Sequence, residues 1–240
     1  MPGMVNKMGK MKVIRTSVLL ATLVSSSMVA ALEVKLDSVR NSVETIHSGQ
    51  VVEVKRVQDQ KHTIKGGFSK TSRKCPPFCI QPTQVDDDVR TVSEMDIFDF
   101  MEKQIVSGKG VLVDARVPSW HKKGTIPGSV NIPFTVFEAS PHEPQLVDGL
   151  YKLGVRRRGE VNPLVRGMEK FGLLNGDMKT DDWDFSHAKE IILWCNGPWC
   201  GQTPRAIRAL MKLGYPKERL NYYRGGMQMW QILGLTTVEP

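Results

Sequence analysis

The chain has 240 residues, 40% of them hydrophobic, which excludes a disordered polypeptide and leaves room for one large domain or one domain with extensions. Its formal net charge of +8 carries no nucleic-acid-binding motif with it. Four of those charges, Lys7, Lys10, Lys12 and Arg15, lie in the first 31 residues, so the remainder has a formal charge of +4.

Those four cations precede seventeen uncharged residues, Thr16 to Leu32, with the small residues Val29-Ala30-Ala31 near their end. This is the layout of a secretory signal peptide over residues 1–31, cleaved after Ala31. An uncleaved membrane anchor is the alternative, although the run falls short of the ~20 apolar residues of a span. The mature chain is therefore expected to be exported, in a periplasmic setting where disulfides persist.

Residues 32–90 read as a small N-terminal extension. Gln50 to Val57 alternates apolar and polar residues as a strand does, and Lys65-Gly66-Gly67 marks a turn. Ser72 to Pro82 contains Cys75-Pro76-Pro77-Phe78-Cys79, a possible redox pair. Residues before proline favour extended backbone, and a polyproline path would place the two cysteines ~12 Å apart. That exceeds the ~7 Å limit for bridged Cα atoms. A local disulfide would need a cis proline or a sharp bend at Phe78.

From Ser93, acidic residues followed by apolar ones at helical spacing predict a helix. Val111-Leu112-Val113-Asp114 predicts a strand with a carboxylate at its C-terminal end, where open α/β sheets carry their sites. Gly124 to Pro133 supplies a turn and another short strand. Residues 134–190 form a long insert with a helix near Leu164 to Phe171. Its basic cluster Arg156-Arg157-Arg158, with Lys152, Arg166 and Lys170, is interleaved with Glu160 and Glu169 and reads as a solvated face or an attraction for anions.

Ile191-Ile192-Leu193-Trp194 is a strand buried on both faces, and it runs into Cys195-Asn196-Gly197-Pro198-Trp199-Cys200-Gly201-Gln202-Thr203-Pro204. Thr203 and Pro204 suit the cap and first position of a helix that ends near Gly214. A thiol between such a strand and a helix N-terminus is placed for a lowered pKa. The difference matters, because only about 3% of a thiol with a pKa of ~8.5 is ionised at pH 7. Leu220 to Tyr223 then reads as a strand, Gly225-Gly226 as a turn, and Met227 to Leu233 as a short helix with Trp230 in the core.

Asp114-x-Arg116 after a strand, Gly124 to Pro133, the cysteine loop, and Tyr223-Arg224-Gly225-Gly226 before Trp230 stand in the order of the rhodanese-like sulfurtransferases. Residues 91–240 resemble that family. The resemblance implies an α/β domain with a mostly parallel five-stranded sheet flanked by helices, beside the N-terminal extension. It also implies a catalytic cysteine that takes a sulfane sulfur from thiosulfate, a polysulfide or a thiol persulfide, and passes it to a thiol or another nucleophile. Carried over by position, Cys195 is the nucleophile, with Cys200 a resolving thiol or an alternative nucleophile. Asn196, Gly197, Trp199, Gly201, Gln202 and Thr203 form the persulfide-binding loop, and Asp114, Arg116 and Arg205 support it. Small sulfur donors and a thiol or protein acceptor are the implied partners, and no cofactor or metal is implied.

The loop is longer than is usual in the family and has no charged residue between Cys195 and Arg205, which leaves Arg205 or Arg116 as the nearest anion contacts. Two other functions fit the same residues. One is a thiol–disulfide oxidoreductase using Cys195 and Cys200; the other is a non-catalytic binding module on the same fold.

Overall fold

In the computed structural model, Gly3 and residues 33–64, 66–174 and 176–240 are described. The expected leader, residues 1–31, lies outside them apart from Gly3. Among the described residues, no helix is long and apolar enough to cross a membrane.

Five strands build the main sheet: β3 (Arg90–Thr91), β4 (Gly110–Asp114), β5 (Ser129–Asn131), β8 (Glu190–Trp194) and β9 (Leu220–Tyr223). They are ordered β3-β9-β8-β4-β5 and every adjacent pair is parallel. The apolar runs of β4 and β8 are central because only a strand covered on both faces keeps every side chain dry.

Strand alternation divides these side chains between two cores. Val111, Val113, Ile191, Leu193 and Tyr222 point to one face, under α3 (Phe134–Phe137), α4 (Pro144–Lys152) and α6 (Gln202–Leu213). Leu112, Ile192, Trp194 and Tyr223 point to the other, against α1 (Glu94–Phe100) and α7 (Gly226–Ile232). Trp230 is fully buried in the second core, as its spacing predicts, and its indole nitrogen donates to the Thr236 carbonyl at 2.8 Å.

Ser93 caps α1, its backbone N–H accepted by Asp96 at 2.8 Å. The helix α6, expected to be capped by Thr203 and to begin at Pro204, starts earlier. Gly201 is its cap residue, and Thr203 and Pro204 sit within the first turn, where proline's missing N–H leaves no hydrogen bond unmade.

In the extension, β1 (Ser42–His47) and β2 (Gln50–Lys55) form an antiparallel hairpin, and only the second of them is evident from its alternation. In the insert, α5 (Pro163–Lys170) forms where the apolar spacing places it, while α4 and the short antiparallel pair β6 (Arg156–Arg157) and β7 (Trp183–Asp184) go unpredicted. Arg158 of the basic cluster closes on Glu169 at 2.8 Å.

The cysteine segment departs from a polyproline path. Cys75 and Cys79 form a disulfide with Cα atoms 4.6 Å apart, and the peptide bonds before Pro76 and Pro77 are both cis.

Candidate active site

The loop from Cys195 to Gly201 joins β8 to α6 at the C-terminal edge of the sheet, the end at which parallel α/β sheets present their sites. The first turn of α7 holds it from below: the N–H groups of Met227 and Gln228 donate to the carbonyls of Cys195 and Asn196, both at 2.9 Å. Gly226 makes this approach possible. Its φ is +55°, and a Cβ there would collide with the Cys195 carbonyl.

Neither thiol of the loop is in a disulfide, and both are buried, Cys195 at 2% and Cys200 at 4% exposure. A turn closed by the Cys200 N–H on the Gly197 carbonyl, at 2.9 Å, brings them together. Cys195 Sγ donates to the Cys200 carbonyl at 3.3 Å, and the Asn196 side-chain amide donates to Cys200 Sγ at 3.6 Å.

Their electrostatics diverge. Burial pushes the Cys195 thiol well above its ordinary pKa, and the neighbouring Cys200 sulfur adds to the rise. Burial also opposes ionisation of Cys200, but the Cys195 thiol and the N–H groups of Asn196 and Gln202 outweigh it and bring its pKa down to about 7. The pair thus holds its negative charge on Cys200, beside the N-terminus of α6, and its proton on Cys195.

Other buried polar groups gather at the loop. Asn196 Oδ1, Gln202 Oε1, Thr203 Oγ1 and the Tyr222 hydroxyl have no hydrogen-bond partner among the described residues. Tyr222 is opposite Leu193 in the sheet register, so it lies one diagonal step from Cys195 on the same face, within reach of an aromatic side chain. Burial raises the Tyr222 pKa, and negative charge on the nearby cysteine pair adds to the rise.

The supporting residues named from the sequence divide into two places. Asp114 and Arg116 are sealed in the interior, with Arg116 Nε and Nη2 on the two carboxylate oxygens at 2.8 and 2.6 Å. Thr125 donates to the same carboxylate at 3.0 Å, and His121 Nδ1 lies 3.0 Å from it. The Arg116 guanidinium stacks over the ring of Trp194 at 4.6 Å. Arg205 faces outward instead, bidentate on Glu138 at 2.7 and 2.6 Å. The two arginines expected as anion contacts are therefore both engaged with carboxylates.

Sequence reasoning did not anticipate the roof of the site, which comes from the extension. Phe78 packs edge-on against Trp199, ring centroids 5.5 Å apart, and the Arg73 guanidinium lies 3.8 Å over the Trp199 ring. The Gln81 N–H donates to the Pro198 carbonyl at 2.8 Å, and Arg224 Nη2 donates to the Gln81 carbonyl at 2.9 Å. Trp199 is fixed in turn by its indole N–H on Gln228 Oε1 at 2.6 Å. The Cys75–Cys79 segment is thus a strap across the two-thiol loop. The Cys-Pro-Pro-Phe-Cys pattern and Arg224 in the Tyr-Arg-Gly-Gly turn were its visible signals.

A family model described as the rhodanese-like domain matches residues 99–233, more than half of the chain. No curated protein matches the chain. Solved structures that are similar include a human single-domain sulfurtransferase, 18% identical over 61% of this chain and 97% of that one, with a TM-score of 0.35. A probable thiosulfate sulfurtransferase is 24% identical over 54% of this chain and 43% of its own, with a TM-score of 0.32. A protein of unknown function from Rhodopseudomonas palustris, described as a possible tyrosine phosphatase, is 16% identical over 75% of this chain and all of its own, with a TM-score of 0.39. With its parallel five-stranded α/β sheet and the family match across the cysteine loop, the chain belongs to the rhodanese-like domain family.

Proposed function

We propose that this protein is a sulfurtransferase that carries a sulfane sulfur as a cysteine persulfide on its two-thiol loop. The observation that supports this most is the pair of free, buried thiols, Cys195 and Cys200, in the strand-to-helix loop of a rhodanese-like domain, with the Cys200 pKa drawn down to about 7. The resemblance by position puts the nucleophile at Cys195. The N–H groups and the Asn196 amide around the other sulfur favour Cys200 as the attacking thiolate, with Cys195 as the thiol that resolves or protects it.

In the loading step the Cys200 thiolate attacks the outer sulfur of a donor R–S–SH, the donor S–S bond breaks, and R–S⁻ leaves. In discharge an acceptor thiolate attacks that same outer sulfur, and Cys200 departs as a thiolate. The N–H groups of the loop stabilise the persulfide anion in the way that fixed dipoles stabilise other developing anions. Persulfides and polysulfides are favoured over thiosulfate as donors, because Arg116 and Arg205 are each paired with a carboxylate. The leader expected from the sequence supports a reaction outside the cytosol, which subcellular fractionation tests.

A transfer assay tests the activity, with a thiol persulfide or thiosulfate as donor and a small thiol as acceptor. The wild type should turn over the persulfide with a higher kcat/KM than thiosulfate, and a Cys195→Ser/Cys200→Ser variant should be inactive. Equal, slow transfer by the wild type and the double variant would overturn the proposal.

A further inference from the structure

The chain holds two cysteine pairs in opposite redox states, a disulfide in the strap and two thiols in the loop beneath it. Both chain neighbours of Cys200 face the strap. Trp199, before it, carries the Phe78 ring, and Phe78 directly precedes Cys79. Gly201, after it, lies against the side chain of Gln81, whose backbone N–H is bonded to Pro198 and whose side-chain amide donates to the Cys79 carbonyl at 2.8 Å. Residues on either side of Cys79, Phe78 and Gln81, are thus held against residues on either side of Cys200. Within the strap the two sulfurs differ in access, since Cys75 is exposed and Cys79 is half-buried.

We propose that Cys75–Cys79 is the redox partner of the Cys195/Cys200 pair, and that the two exchange through a Cys79–Cys200 mixed disulfide. This is a thiol–disulfide exchange activity distinct from sulfur transfer. When the loop pair is oxidised, an external dithiol reduces the exposed strap disulfide and is itself oxidised to a disulfide. The Cys79 thiolate attacks Cys200 Sγ, the Cys195–Cys200 bond breaks, and Cys195 leaves as a thiolate that takes up a proton. The Cys75 thiolate then attacks Cys79 Sγ, closing the strap disulfide and releasing the Cys200 thiolate. Two electrons pass from strap to loop, and the structure holds the product of that exchange, with the strap oxidised and the loop reduced. The arrangement gives two deeply buried thiols a reductant that need not enter the site.

The test uses the full chain with Cys75→Ser and Cys195→Ser, which leaves Cys79 and Cys200 as its only thiols. On treatment with oxidised glutathione, peptide mapping should find an intramolecular Cys79–Cys200 disulfide as the main product. A Cys79→Ser/Cys195→Ser variant, retaining Cys75 and Cys200, should cross-link at least tenfold more slowly. Accumulation of glutathione adducts on Cys79 and Cys200 without a cross-link, or equal rates for the two variants, would overturn the proposal.

The wild type supplies a measurement free of substitutions. Fully oxidised protein given one equivalent of dithiothreitol and quenched with N-ethylmaleimide should be alkylated at Cys195 and Cys200 with the strap closed. Label on Cys75 and Cys79 with the loop disulfide intact would contradict the relay. None of these measurements reads sulfur transfer, so their failure and the failure of the proposed activity are separate results.

Discussion

Asn196 Nδ2 reaches Cys200 Sγ at 3.6 Å while the same side chain's Oδ1 is buried with no partner among the described residues, so the amide serves the sulfur. Burial opposes ionisation of Cys200, but the Cys195 thiol and the backbone N–H groups of Asn196 and Gln202 bring its pKa down to about 7. A lowered acid pKa means that the thiolate forms as pH rises through that value. Iodoacetamide alkylation of Cys200, followed by mass spectrometry from pH 5 to 9, should therefore show a midpoint near 7. Asn196→Ala should move the midpoint upward without unfolding the chain. An unmoved midpoint would assign the anion to the Cys195 thiol and the backbone N–H groups.

The strap packs on the thiol loop through Phe78 and Trp199, and is expected to limit access to its sulfurs. An edge-on aromatic pair contributes about 0.5–1.5 kcal/mol beyond its buried area. Phe78→Ala leaves the disulfide in place and removes this contact with Trp199. Alkylation of Cys200 at fixed pH should accelerate roughly two- to tenfold, the equivalent of that energy. Unchanged alkylation with an unchanged thermal midpoint would show that the strap does not limit access.

Asp114 and Arg116 form a buried ion pair, and their expected role is in the fold. Both side chains are buried and joined by two hydrogen bonds, so Asp114→Asn leaves an uncompensated guanidinium and should cost about 3–5 kcal/mol in urea unfolding. Burial works against the Asp114 carboxylate, but Arg116 and His121 prevail and lower its pKa below 3.8. Its contribution is thus complete above pH 3.8 and is lost as pH falls through the lower folded value. The gap between wild type and variant should be full at pH 7 and shrink in strong acid. A variant as stable as the wild type at pH 7 would remove the pair from the framework.

The parts of this architecture readable from the sequence are those in which one local pattern has one outcome. Ile191 to Trp194 is too apolar for an exposed position and too short for a buried helix, and it forms a central strand. The thiol at its end, the α6 stripe and the Tyr-Arg-Gly-Gly turn followed from similar local rules. The strap did not, because its path depends on tertiary contacts: two prolines read alone favour extension, whereas Phe78 against Trp199 and Gln81 on Pro198 involve residues more than a hundred positions apart. Strand β1 was hidden because its alternating residues also include polar Thr45 and His47 on the buried side. The preference between the thiols had the same origin. Spacing shows that Cys195 follows the strand, but only the folded turn shows which sulfur collects the N–H groups.

The sulfur-carrying role proposed for this loop is tested most directly by peptide mapping of persulfide after incubation with a thiol persulfide donor, in the wild type and in the Cys195→Ser and Cys200→Ser variants. Added sulfur should appear on Cys200 in the wild type and in Cys195→Ser, and be absent from Cys200→Ser. Sulfur retained on Cys195 in Cys200→Ser would return the carrier role to the strand-end cysteine, and no added sulfur on either cysteine of the wild type would contradict the account.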